Sequence, residues 1–123
     1  MAEHNQTGAW GEKAVADYLT ARGWAIRHCN WRTGHLEIDI VASRGDEIAF
    51  VEVKTRVTDF NDPLQAITRR KMTLLGRAAS AYMQQFDLPL RPRFDVAAVT
   101  GTEAAPAIDY YDDAFFPPHG SFI

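Results

Sequence analysis

One cysteine, Cys29, stands among 123 residues, so no intrachain disulfide can form, and a reducing cytoplasm suits such a chain. No apolar run approaches the length of a membrane-spanning helix, and no membrane partner is expected. The opening Met1-Ala2-Glu3-His4-Asn5-Gln6 has neither the basic region nor the apolar segment of a secretory signal. There is no internal repeat, and at this length a single domain over residues 1–123 is expected. Residues 101–123 have no Lys or Arg but carry Glu103, Asp109, Asp112 and Asp113, which reads as an acidic C-terminal extension or edge strand.

What is present is unevenly distributed. The net charge of −3 argues weakly against a nucleic-acid partner, yet residues 1–100 hold 13 basic and 12 acidic side chains. Between Lys54 and Arg77 lie Arg56, Arg69, Arg70 and Lys71 as well, against only Asp59 and Asp62. A local basic face can bind phosphate on an acidic chain, although a solvated helix face explains the same charges equally well.

The apolar pattern predicts a helix over about residues 8–22, with Trp10, Ala14, Val15, Tyr18 and Leu19 on one stripe, Glu12 at its border and Gly23 as its stop. A strand follows over Trp24–Cys29, leading into Asn30-Trp31-Arg32-Thr33-Gly34. Val57–Asn61 reads as a loop. Asp62-Pro63, with Gln65 behind them, predicts a helix start, and Ile67, Leu74, Leu75, Ala78, Tyr82 and Met83 its buried face as far as Phe86. Arg93–Val99 reads as a strand, Ala107–Tyr111 as a short edge strand and Pro117–Gly120 as a loose tail. The order is αβββαβ with a further β, an α/β chain.

The most informative stretch is Leu36–Arg56, where charges interrupt two strands rich in Ile, Val and Phe. A carboxylate among such neighbours is costly unless it is paired or bound to a metal. Gly45-Asp46 fits a two-residue hairpin loop. That loop pairs Arg44 with Glu47, and further along it sets Asp39 opposite Glu52 and Glu37 opposite Lys54. Directly opposed Cβ atoms lie roughly 4.5–5.5 Å apart, close enough for two carboxylates to share one divalent ion. A longer loop would shift the register, and a one-residue slip would scatter the cluster.

With Gly8-Ala9-Trp10-Gly11-Glu12, Asn30-Trp31-Arg32, Glu37-Ile38-Asp39, Phe50–Arg56, Pro63-Leu64-Gln65-Ala66, Lys71 and Arg93-Phe94-Asp95-Val96, the chain resembles the PD-(D/E)xK nuclease superfamily. More narrowly it resembles the YraN family of predicted nucleases, akin to Holliday-junction resolvases, over about residues 8–99. The resemblance implies a restriction-endonuclease-like αβββαβ core with a mixed central sheet flanked by helices. It implies a Mg²⁺- or Mn²⁺-dependent endonuclease acting on DNA, with branched DNA as one candidate substrate and a homodimer as the form that cuts two strands symmetrically.

On that resemblance Asp39 and Glu52 chelate the ion, the Val53 carbonyl adds a ligand, and Glu12 completes the site through water or a second metal. Lys54 orients the attacking water or stabilises charge on the phosphoryl group. Glu37 pairs with Lys54 or reaches metal through water. Arg56, Lys71 and Arg32 contact nucleic acid, with Lys71 expected to matter more than Arg69. Leu36 stands where the family usually has Gly, and Gln65 where an acid is frequent, so Gln65 is not counted as a ligand. No organic cofactor is implied.

Two rivals remain: a non-catalytic nucleic-acid-binding module of the same fold, and an interaction protein in which Asp39, Glu37 and Lys54 are structural. The other polar residues have plainer readings. His4 and His119 lie near the termini, His28 and His35 lack a spaced partner, and Cys29 has no evident base and reads as a buried or neutral thiol. Trp10, Trp24 and Phe86 read as core.

Overall fold

A computed structural model describes residues 2–55 and 67–122, with side chains from residue 9 onward in the first helix. The elements are α1 (Ala2–Ala21), β1 (Ala25–Thr33), β2 (Leu36–Arg44), β3 (Glu47–Thr55), α2 (Arg69–Phe86), β4 (Arg91–Gly101) and β5 (Pro106–Phe115). The strands form one sheet in the order β1-β2-β3-β4-β5. β3 and β4 are parallel and the other neighbours antiparallel. This is the mixed α/β architecture expected of a restriction-endonuclease-like core.

β3 lies at the centre. Its Ile48, Ala49, Phe50 and Val51 are fully buried, because one helix covers each face. A strand buried on both sides reads as a continuous apolar run rather than an alternation. On one face, Val15 and Leu19 of α1 pack with Trp24, Ile40, Ala42, Ala49, Val51, Ala97 and Val99. On the other, Leu75, Ala78, Ala79 and Tyr82 of α2 pack with Ile38, Val41, Ile48, Phe50 and Phe94. Each large apolar side chain so buried contributes about 1.5–3 kcal/mol. The β2–β3 loop is Gly45-Asp46, and Gly45 takes φ +60°, which suits the first residue of a type II′ hairpin loop.

Some expectations are corrected. The predicted helix start at Asp62-Pro63, Gln65 included, lies outside the described residues. Ile67 and Thr68 are not helical, and α2 begins at Arg69. Thr68 is its cap: it is extended, and its hydroxyl accepts a hydrogen bond of 3.0 Å from the Lys71 amide. The C-terminal residues are not a loose tail. Pro117 and Ser121 are buried and Phe122 packs on the α2 side, where Gly76 leaves room for the Pro117 ring. Cys29 is exposed at the surface, and of the two readings of its thiol the neutral one stands, since its pKa is raised. β5 is longer than predicted and forms one edge of the sheet. No helix among the described residues is long and apolar enough to cross a membrane.

Candidate functional site

The β2–β3 ladder runs in the expected register from Arg44↔Glu47 to Ile40↔Val51 and pairs no further. Asp39 and Glu52 are the next residues on the two strands. Ile38 and Val41 pack toward α2 whereas Ile40 and Ala42 pack toward α1, so β2 departs from strict alternation at Asp39. Beyond the last pair, the Val53 amide donates instead to Asp39 Oδ2 at 2.8 Å. The carboxylate is thus fixed where the strands cease to pair.

Glu52 is 3 % exposed, on the same face as Phe50 and α2. Its Oε2 lies 3.7 Å from the Lys54 ammonium and 3.4 Å from that of Lys71, which reaches across from the first turn of α2. Asp39 has no ammonium this close among the described residues. Burial, then the Glu52 charge, push its carboxyl from 3.8 up to about 7, against the smaller opposing pulls of the Val53 amide and Lys71; Glu37 adds a little to the rise. Asp39, Glu52, Lys54 and Lys71 therefore form one cluster.

The remaining predicted residues are placed as follows. Glu12 is buried on α1, next to Gly11, where any side chain would collide with the Thr55 hydroxyl; α1 thus crosses the end of β3 just beyond Lys54. Glu12 is not among the groups that shift Asp39. Its charge acts on Cys29 of β1, whose thiol is raised first by partial burial and then by Glu12. Glu37 does not pair with Lys54: it faces Arg32 across β1–β2 and forms an ion pair of 3.3 Å with it, which also occupies Arg32. Arg56 lies outside the described residues. His28 shares a 2.8 Å hydrogen bond with the Tyr82 hydroxyl, to which Arg27 also donates.

A second charged cluster was given no role in the sequence, although Arg93-Phe94-Asp95-Val96 is among the motifs of the resemblance. Asp95 on β4 is fully buried. It accepts from Arg93 Nη2 at 2.9 Å and Nε at 3.0 Å, from the Tyr110 hydroxyl at 2.6 Å and from the Asp113 amide at 2.9 Å. Burial and the Asp95 charge raise the Tyr110 hydroxyl, so Tyr110 remains a donor. The available signal was Arg-x-Asp within a strand, which places both side chains on one face.

The donor set at Asp39 and Glu52 suits a hard cation. Both groups offer carboxylate oxygen, burial and then the Glu52 charge push the Asp39 carboxyl up to about 7, so a divalent ion would relieve the cost of ionising it, and a lysine ammonium already sits where positive charge is favoured. Among the described residues no three His, Cys, Asp or Glu side chains stand together as a metal site. A bound ion would draw its further ligands from the Val53 carbonyl, from water or from a moved Glu12.

Comparison with known proteins gives kinship without an activity. A model of the uncharacterised protein family UPF0102 matches residues 11–99. A UPF0102 protein of Bacteroides thetaiotaomicron is 46% identical over 119 residues, covering 96% of this chain and 98% of that relative. Relatives of the same name from Phocaeicola vulgatus and Flavobacterium psychrophilum are 40% and 38% identical, each covered to 98% of its length.

Proposed function

The chain belongs to the uncharacterised protein family UPF0102, and from its site we propose that it is a metal-dependent endonuclease hydrolysing phosphodiester bonds in DNA. One observation carries this reading: Asp39, its carboxyl pushed up by burial and by Glu52, and the buried Glu52 itself flank the point where two central strands part, with Lys54 and Lys71 beside them. In that reading Asp39 and Glu52 hold Mg²⁺ or Mn²⁺, with Val53 and Glu12 as the further candidates. The ion supplies Lewis acidity and lowers the pKa of a bound water. Lys54 donates to a phosphoryl oxygen or orients the nucleophile, and Lys71 neutralises Glu52 until the ion arrives. Branched DNA as substrate, a homodimer as the cutting form and a cytoplasmic location belong to the same proposal.

Lys71 also supports a second reading. Its ammonium occupies the cation position at Glu52, as expected of a nucleic-acid-binding module that keeps the fold and does not cleave. A cleavage panel decides between them. Single-stranded, duplex, flap and four-way DNA are incubated with Mg²⁺ or Mn²⁺, with Glu52→Gln prepared identically as the control for contaminating nucleases. Wild-type cleavage of any substrate that Glu52→Gln lacks supports the endonuclease. Equal traces from both proteins refute it.

A further inference from the structure

Four positive charges sit on α2, and the helix carries no acidic residue. They divide by direction. Lys71 turns toward the sheet and pairs with Glu52. Arg69, Arg70 and Arg77 are exposed and, with Thr73 and Leu74, line an open groove of about 340 Å³. None of the three pairs with a carboxylate among the described residues. Elsewhere on the surface Arg32, Arg91 and Lys13 each have an acidic partner.

The arrangement is unfavourable for the helix alone. Arg69, Arg70 and Lys71 occupy the first turn, where the helix dipole is already positive and an acidic residue would be stabilising. An anion over the groove would turn that repulsion into attraction. Its extent suits a polyanion, because Arg70 and Arg77 are about 10.5 Å apart along the axis. A strand of duplex DNA advances about 3.4 Å per nucleotide, so the stripe spans about three phosphates.

We infer that the outer face of α2, through Arg69, Arg70 and Arg77, holds a nucleic-acid phosphodiester backbone and leads it toward the Asp39–Glu52 cluster. The inference rests on the nuclease-fold reading for its partner but not on cleavage. Charge complementarity selects the ligand: three guanidiniums line one groove, none paired with a carboxylate among the described residues, and each is able to grip phosphate oxygens bidentately. Lys71, committed to Glu52, links the groove to the site.

The test measures binding of the full chain to a fluorescent DNA duplex by anisotropy, in EDTA so that nothing is cut, across a salt series. The variant Arg69→Ala/Arg70→Ala/Arg77→Ala is expected to bind at least about ten-fold more weakly, with a log–log salt slope shallower by about 2–3. The charge-matched control Arg22→Ala/Arg44→Ala/Arg91→Ala should change affinity by less than about two-fold. Lysine at positions 69, 70 and 77 should keep the wild-type slope. Equal losses in both alanine triples would reduce the effect to net charge and overturn the inference. So would wild-type affinity in the stripe variant, loss of slope in the lysine variant, or a defect seen only on phosphatidylserine vesicles. Stripe-dependent binding by a wild type that cleaves nothing keeps the inference and removes the endonuclease. Wild-type cleavage with unaltered binding by the stripe variant does the opposite.

Discussion

Asp39 and Asp95 are both carboxylates in the central strands of one sheet, and their surroundings are opposite. Asp95 receives an arginine fork, a phenol and a backbone amide, so its oxygens are fully engaged. Asp39 receives one amide, and burial followed by the repulsion of Glu52 pushes its carboxyl up to about 7. The same residue type is a structural anchor where donors exceed need and a candidate ligand where they fall short. Burial does not separate the two, since Asp95 is the more buried. The balance of donors and charges does.

The sharpest way to break this contrast is to truncate the anchor. Asp95→Ala removes the shared acceptor of the half-buried Arg93 guanidinium, which keeps only Glu47 at 3.4 Å, and of the Tyr110 hydroxyl, and should cost about 3–5 kcal/mol in urea unfolding. A loss below about 1 kcal/mol would place Asp95 with ordinary surface ion pairs and dissolve the distinction.

Metal addition probes the other member. Wild type should gain about 2.7 kcal/mol at a Mn²⁺ concentration 100 times its dissociation constant, read as a rise in melting temperature. Asp39→Asn and Glu52→Gln should abolish the rise. A wild type indifferent to Mn²⁺ and Mg²⁺ removes the metal site.

A pH series sharpens the contrast without metal. Between about 4 and 7 the folded chain keeps a proton on Asp39 that the unfolded chain has released, so rising pH favours unfolding through this group. Asp39→Asn carries no such proton. It should match wild type near pH 4 and exceed it by about 1–3 kcal/mol at pH 8, a margin discounted for partial solvent access. A variant less stable than wild type at pH 8 would make Asp39 a second anchor. The smallest effect is expected at Lys71, whose ammonium competes with a divalent ion for Glu52. Lys71→Met should tighten Mn²⁺ binding about two- to five-fold, matching the ~0.5–1 kcal/mol of a half-exposed ion pair, as calorimetry can check.

Much of this architecture was legible in the chain. The loop at Gly45-Asp46 gave the β2–β3 register, since glycine at positive φ leaves few hairpin choices. The Ile, Val and Phe content of β3 marked a buried strand, and the two helices bury it on both faces. What escaped depended on partners distant in sequence. Glu37 looked available to Lys54 until β1 set Arg32 beside it. Lys71 looked like a free DNA contact, whereas α2 lies close enough for it to meet Glu52. Asp95 looked like an ordinary strand residue because Tyr110 and the Asp113 amide arrive from β5. The Pro117–Gly120 segment looked loose because its docking surface, Gly76, is a missing side chain and carries no apolar signal.

The parallel pairing of β3 with β4 has a kinetic meaning. Asp39, Glu52, Lys54 and Lys71 all precede β4 in the chain, yet the strand bearing Glu52 and Lys54 gains its second neighbour only when residues 91–99 dock beside it. Parallel neighbours require a crossover, here through α2, and such non-local closure is slow compared with forming the β2–β3 hairpin. During synthesis the hairpin that carries Asp39 can therefore form before β3 acquires its parallel neighbour. A chain that stops before residue 91 thus carries the acidic residues on a sheet whose central strand has one open edge.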